Sequence, residues 1–431
     1  MAISGRVPLL VLLGLVPVVL RPGIGTVWLW LAVVTLVVAA DWLLAPSPGA
    51  VEVTRVEDGG SIRLGTSTRT TVVVRGTGAR TVRGRLRDAW QPSAGARGNR
   101  HRFVLTGRDS VRLTTALHPV RRGDLRSLGT TVRLAGPLGT AYRQRTLDVP
   151  GSVRALPPFS SRKHLPSRLE RLRELDGRSA LRVRGQGTEF DSLREYVRGD
   201  DVRSIDWRAS ARSRNVVVRT WQPERDRRVV LVLDTSRTSA GRVADVPRLD
   251  SAMDAALLLA ALAGRAGDRV DFLAGDRVVR RRVRATGGGS VVHALSEAMA
   301  GLGSVIAEAD WRGLAGAVQD MGRRRALVVL LTPLEPAAVE EGLLPVLPTL
   351  TRHHRVVVAS VRDPALDALA GTRDDAGDVY TAAAAEQAMA RRRATADLLA
   401  ALGVHVVDTD AERLAPALAD HYLSLKARGL L

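Results

Sequence analysis

Between Glu189 and Trp207 the chain carries Glu189, Glu195, Asp200, Asp201 and Asp206 among Arg194, Arg198, Arg203 and Arg208. Carboxylates held close together are the equipment of general acid–base catalysis. Each of these acids, however, has an arginine within a few residues. A neighbouring guanidinium lowers a carboxyl pKa and favours bidentate pairing over proton transfer. Phe190, Tyr196, Ile205 and Trp207 interleave as apolar anchors, and Gly199 opens the turn at Asp200-Asp201. The segment therefore reads as a structural clasp between its two neighbouring domains, with Asp206 and Arg203 as a buried pair. An acid–base site is the alternative. A second constellation, Asp234-Thr235-Ser236-Arg237-Thr238, follows the apolar run Val229 to Leu233. One carboxylate and two hydroxyls on a tight loop, Asp234, Ser236 and Thr238, supply part of the oxygen shell of a hard cation such as Mg²⁺. The competing reading has Asp234 capping a helix or receiving an arginine while the hydroxyls bond the loop.

The elements that position these groups fall into three grammars. From Val229 onward the pattern is α/β. Val229–Leu233, Val270–Leu273, Ala326–Leu331, Val356–Val361 and Val404–Val407 are continuous apolar runs, and Val278–Val283 is a basic edge strand. Helical stretches intervene at 249–266, 291–299, 311–321, 336–347, 382–402 and 412–425. Strands buried on both faces read as continuous apolar runs, so residues 227–431 predict a doubly wound, mostly parallel sheet. Residues 47–156 instead alternate Val and Thr with polar residues at period two between Gly, Asp, Ser and Pro turns, which predicts an all-β sandwich. His101 and His118 stand alone there and read as surface or structural residues. Prolines 157, 158 and 166 open a linker that runs with the Glu189–Trp207 segment to residue 226, with a helix over 167–175. Residues 1–46 are apolar: Val7–Leu20, a turn at Arg21-Pro22-Gly23, then Ile24–Leu44 broken only by Thr26, Thr35 and Asp41. A bilayer span needs roughly 20 apolar residues, which the second run meets. The expectation is a transmembrane hairpin, with a cleaved signal peptide as the competing reading of the first run.

The chain has 431 residues, no cysteine and a net charge of +20, almost all of it arginine, because Lys163 and Lys426 are its only lysines. Without cysteine there is no disulfide, thiol catalysis or Cys-ligated zinc. A positive field of this size attracts nucleic acid or anionic lipid. Aromatic residues make up only 3%, and single-strand binders need them as stacking platforms. The arginines also alternate with acids along the chain, so a solvated or membrane-facing surface is the better reading. No HExxH, GxxxxGK[ST] or GxSxG occurs, and Gly287-Gly288-Gly289 lacks the Lys-Ser/Thr of a phosphate loop.

Gly187, Glu189, Phe190, the LREY of Leu193–Tyr196, the GDDVR of Gly199–Arg203, Ile205-Asp206-Trp207, Arg219, Glu224 and the strand closing on Asp234 together resemble the signature of the bacterial family called domain of unknown function 58. The Asp234 loop is similar to the first limb of the metal-ion-dependent adhesion site of a von Willebrand factor A domain. The chain departs from that site elsewhere. The Ser/Thr-Asp expected after the Ala326–Leu331 strand is Thr332-Pro333, with Glu335 the nearest acid, and the threonine of the intervening loop has no counterpart in Glu308-Ala309-Asp310. The resemblance implies a membrane-anchored adaptor with no catalytic role, no required cofactor, a MoxR-type AAA+ ATPase as partner, and a cytoplasmic location for the folded domains. Partner contact is then expected at the strand C-termini, at Arg237, Thr332 and Glu335. The alternatives are a divergent hydrolase acting through the 189–208 cluster and a binder of anionic polymers.

Overall fold

A computed structural model describes residues 2–182, 189–213, 215–222, 227–285, 291–322 and 324–431. It divides into two compact units, Met1–Leu156 and Pro157–Leu431.

In the first unit a three-stranded sheet (Val51–Glu57, Thr68–Gly76, Ser110–Leu117) faces a sheet of seven strands that includes Val82–Trp90, Arg100–Leu105 and Gly123–Ala135. Alternation decides the facing. Val82, Gly84, Leu86 and Asp88 point inward while Arg83, Arg85 and Arg87 point to solvent. Val72, Val74 and Leu113 of the smaller sheet meet Leu86, Phe103, Val132 and Leu134 of the larger in one core. The larger sheet extends beyond the expected sandwich, because Ala2–Ile3 pairs with Ala141–Leu147 and Gly60–Arg63 runs parallel to Ser152–Leu156. Between Ala2–Ile3 and the sandwich lie the apolar helices Arg6–Leu13, Leu15–Leu20 and Ile24–Leu44. Ile24–Leu44 is long and apolar enough to cross a membrane, and Arg6–Leu20 is shorter. Gly14, at the break between the first two helices, leaves room for Trp30: a Cβ there would lie 2.3 Å from its ring. Trp30 donates its indole N–H to the Leu10 carbonyl at 3.0 Å, so this residue packs between helices.

In the second unit six strands form one sheet: β1 (Arg228–Asp234), β2 (Arg269–Gly275), β3 (Val279–Ala285), β4 (Leu327–Leu331), β5 (Arg355–Val361) and β6 (His405–Thr409), in the order β3-β2-β1-β4-β5-β6. All neighbours are parallel except β3, which runs antiparallel at the edge. Successive side chains of a strand point to opposite faces, and β1 shows what that achieves. Val229, Leu231 and Leu233 join one core with helices Arg248–Arg265, Val291–Ala300 and Ala411–Ala427. Val230 and Val232 join the other with Trp311–Asp320 and Leu347–Thr351. Each fully buried Val or Leu contributes about 1.5–3 kcal/mol, which is why the five residues between Arg228 and Asp234 are all Val or Leu. Helix Leu165–Arg182, in the stretch read from sequence as linker, belongs to this unit, and Leu172 is buried in its first core. The helix expected over 336–347 is instead a short turn at Pro336–Ala338, a π-helical Val339–Leu343 and Leu347–Thr351. Pro345 and Pro348 lack the N–H that a continuous helix requires.

Candidate functional site

The chain leaves β1, builds β2 and β3 on one side, and returns to lay β4 on the other. That reversal is the switch point where open α/β sheets bind ligands, beyond the strand C-termini. Asp234 stands at the end of β1 and Thr332 just past the end of β4. The structure brings them together: the Thr332 hydroxyl donates to Asp234 Oδ2 at 2.7 Å. The Ser236 backbone N–H donates to Oδ1 at 2.7 Å, the Thr238 hydroxyl lies 3.4 Å from Oδ2, and the Ser236 and Thr238 hydroxyls are 3.0 Å apart. Asp234 is 1% exposed. Burial pushes its carboxyl above the usual range, against the hydrogen bonds from Thr332, Ser236 and Thr238. The carboxyl therefore neither caps a helix nor receives an arginine. A cleft of about 250 Å³ opens above it, walled by Trp311, Pro333 and Glu341.

Mg²⁺ fits this donor set poorly. The limb after β4 ends in Pro333 and supplies no second carboxylate to the loop, and both oxygens of Asp234 already accept protein donors. The hydroxyls that would complete the shell are bonded to each other or to Asp234. Arg237 sits on the rim in an ion pair with Glu308, both more than half exposed. Glu335 pairs with Arg248 at 2.7 Å. Thr332, expected as a partner contact, is 6% exposed with its hydroxyl given to Asp234, so it braces the loop. Sequence reasoning missed Asp276, which follows β2 and is 1% exposed. It receives the Thr235 hydroxyl and the Arg280 guanidinium, each at 2.7 Å. Burial alone would raise its pKa, but these two donors hold the carboxyl below the ordinary range. Its local sequence, Gly-Asp-Arg, looks like any turn.

The acid–arginine segment forms a separate antiparallel hairpin, Glu189–Glu195 with Val217–Gln222. The side chains of Glu189 and Phe190 lie outside the described residues. Asp200 accepts both terminal nitrogens of Arg194 at 2.6 and 2.8 Å and the Val197 N–H at 2.9 Å. Gly199 takes φ +114°, a conformation that disfavours any side chain. Asp201 accepts the Arg203 N–H and opens the 3₁₀ turn Val202–Ser204. Asp206 does not pair with Arg203. It caps Trp207–Ser210 through the Arg208 and Ala209 N–H groups and receives Arg219 at 2.8 Å, because Asp206 lies beside Val217 on the returning strand. Hydrogen bonds from Arg194 on Asp200, and from Ala209 and Arg219 on Asp206, hold both carboxyls below the ordinary range. Asp200 and Asp206 thus favour the ionised form through the partners that also fix their positions. The apolar set also departs from expectation. Tyr196 and Ile205 are half-buried, but Trp207 is 68% exposed. Val197 and Val202 are 61% and 60% exposed.

Among solved structures, the VWA domain of SpRpn10 is 10% identical and covers 45% of this chain and 94% of its own, with a TM-score of 0.28. A PapD-like domain of human CEP192 is 13% identical and covers 25% of this chain and 85% of its own, with a TM-score of 0.20. Uncharacterized proteins of Mycobacterium tuberculosis and Mycobacterium bovis are 30% identical over 187 residues, which is 42% of this chain. The chain spans 57% of the length of these curated relatives. Residues 192–399, the stretch that runs from the hairpin through β5 and into the helix Ala376–Ala401, match the model of the family described as protein of unknown function DUF58.

Proposed function

We propose that this chain is a membrane-anchored, non-enzymatic adaptor. Its two N-terminal helical segments cross the bilayer, its α/β unit is of the von Willebrand factor A type with a degenerate metal site, and it works with a MoxR-type AAA+ ATPase in a cell-envelope process, the folded units lying in the cytoplasm. The observation that supports this best is the division of labour on the hairpin. Asp200 and Asp206 are committed to arginines and Asp201 and Asp206 to backbone caps, while Val197, Val202 and Trp207 are left at 60–68% exposure. Committed acids cannot shuttle protons. An exposed tryptophan among aliphatic side chains is the kind of anchor on which protein interfaces centre. The test is co-purification of the full-length chain with an AAA+ ATPase encoded beside it. Trp207→Ala is expected to weaken the complex by roughly thirtyfold, the effect of losing an interface anchor worth about 2 kcal/mol, while the melting temperature stays unchanged. Absence of any complex at tens of micromolar, or full binding by Trp207→Ala and Val202→Asp alike, would refute the adaptor reading.

A further inference from the structure

The C-terminal end of the apolar helix Ile24–Leu44 is built into the β unit. Asp41, an acid inside an otherwise apolar stretch, is 0% exposed. Its carboxylate accepts the N–H groups of Leu138 and Thr140 and the Thr140 hydroxyl, each at 2.7 Å, and the Ala141 N–H at 2.9 Å. Arg143 donates to the carbonyl oxygens of Trp42 at 3.1 Å and Leu43 at 3.2 Å and lies 5.1 Å from the centre of the Trp42 ring. Those carbonyls belong to the last turn, where a helix has no partner of its own to offer them. Tryptophan with arginine at such an end marks the level at which a spanning segment leaves the hydrocarbon.

A cavity of about 1120 Å³ opens at this level. One part of its wall is apolar, from Leu43, Leu44, Pro46 and Pro137, and another carries Arg80 and Arg83. Both arginines are exposed, and neither guanidinium group has a hydrogen bond or ion pair among the described residues. Leu43 and Leu44 are 64% and 69% exposed beside them. Two unpaired guanidinium groups next to exposed leucines at a membrane boundary match a ligand with an anion at one end and an acyl chain at the other. We propose that this cavity binds an anionic phospholipid, its phosphodiester between Arg80 and Arg83 and its upper acyl carbons along Leu43, Leu44 and Pro137. Guanidinium groups are suited to phosphate oxygens by their forked donors. A free phosphate would use the arginines and leave the leucines in water. This inference rests on the reading of Ile24–Leu44 as a membrane anchor.

The test uses the full-length chain in neutral detergent, titrated with dioctanoyl phosphatidylglycerol, dioctanoyl phosphatidylcholine and glycerol 3-phosphate, with binding read by native mass spectrometry. Two arginines near an anionic headgroup give an expected preference of roughly thirtyfold for phosphatidylglycerol over phosphatidylcholine, about 2 kcal/mol. Arg80→Ala with Arg83→Ala is expected to abolish the preference, and the paired substitution to lysine to retain most of it. Equal binding of the two lipids, a preference that survives the alanine pair, or glycerol 3-phosphate binding as tightly as the lipid would each overturn the site. Carbonate extraction of the same membranes separates the two readings. A chain that stays in the pellet without lipid preference loses only the lipid site, whereas one released to the supernatant loses the anchor and the lipid site together.

Discussion

Asp234 offers the sharpest test of how the strand-end cleft works. Two substitutions separate its charge from its hydrogen bonds. In Asp234→Ala the Ser236 N–H and the Thr332 hydroxyl, each 2.7 Å from the carboxylate, lose their buried acceptor. Leaving a buried donor unsatisfied costs about 1–3 kcal/mol, so the expected loss is roughly 2–6 kcal/mol. At about 2–4 °C per kcal/mol for a domain of this size, the unit should melt on the order of 4–24 °C lower. Asp234→Asn keeps the shape. Its amide oxygen accepts from Ser236 N–H, and its amide nitrogen donates to a Thr332 hydroxyl turned around to accept. Burial raises the Asp234 pKa in the folded state, so the folded chain holds that proton more tightly than the unfolded chain does. The stability it contributes is fully present below the ordinary carboxylate pKa and is lost as pH rises through the raised folded value. The asparagine variant lacks this loss. It should match wild type in acid, exceed it at neutral pH and hold a constant advantage above the folded pKa. Thermal unfolding across pH, with and without millimolar Mg²⁺, reads the whole pattern. If asparagine is as damaging as alanine, and wild type alone gains stability from Mg²⁺, the buried charge is serving a cation and the internally satisfied site is refuted.

Two further outcomes are expected. Asp206→Ala should lower the melting temperature more than Arg203→Ala, because Asp206 alone holds a cap and Arg219. A normally folded Asp206→Ala protein that has lost a hydrolytic activity would instead support the acid–base alternative. His405 and His421 stack at 3.7 Å, and burial, then His405, Arg355 and Arg428, lower the His421 pKa from 6.5 to about 4. The unfolded chain therefore binds this proton first, and stability should fall as pH drops from about 6.5 toward 4. His421→Gln should flatten that slope, and an unchanged slope in a chemical-denaturation series would remove His421 as its source.

What the sequence reveals depends on whether the information is local. The α/β strands are readable because Val229–Leu233 needs apolar residues on both faces, and the structure sends alternate residues into two cores. The convergence of Asp234, Ser236 and Thr238 is readable because one tight loop carries all three. Thr332 could be placed near them only through its position after a strand, and its burial under the loop is decided by tertiary packing. Pairings decided by register are not readable from spacing. Arg203 is three residues from Asp206, yet Arg219 takes the carboxylate because the returning strand brings it alongside. Asp41 is visible in sequence as an acid that a membrane segment must satisfy. Its donors at 138–141 lie about a hundred positions away.

The same distinction governs the charge of +20. Read as composition, so many arginines resemble the footprint of a polyanion binder. In the fold many are fasteners: Arg55 on Asp88, Arg228 on Asp271 and Arg392 on Asp408 are ion pairs largely shielded from water. Arg392 meets Asp408 through two nitrogens at 2.6 Å and also bonds Ser360 and the Val361 carbonyl, which ties β5 to β6. A lysine could not make those contacts, because its donors radiate from one point and do not form a planar fork. At these positions the choice of arginine over lysine follows from geometry inside the protein. An external anion has to be sought where guanidinium groups are left unpaired, and Arg80 and Arg83 at the end of the apolar helix are such a place.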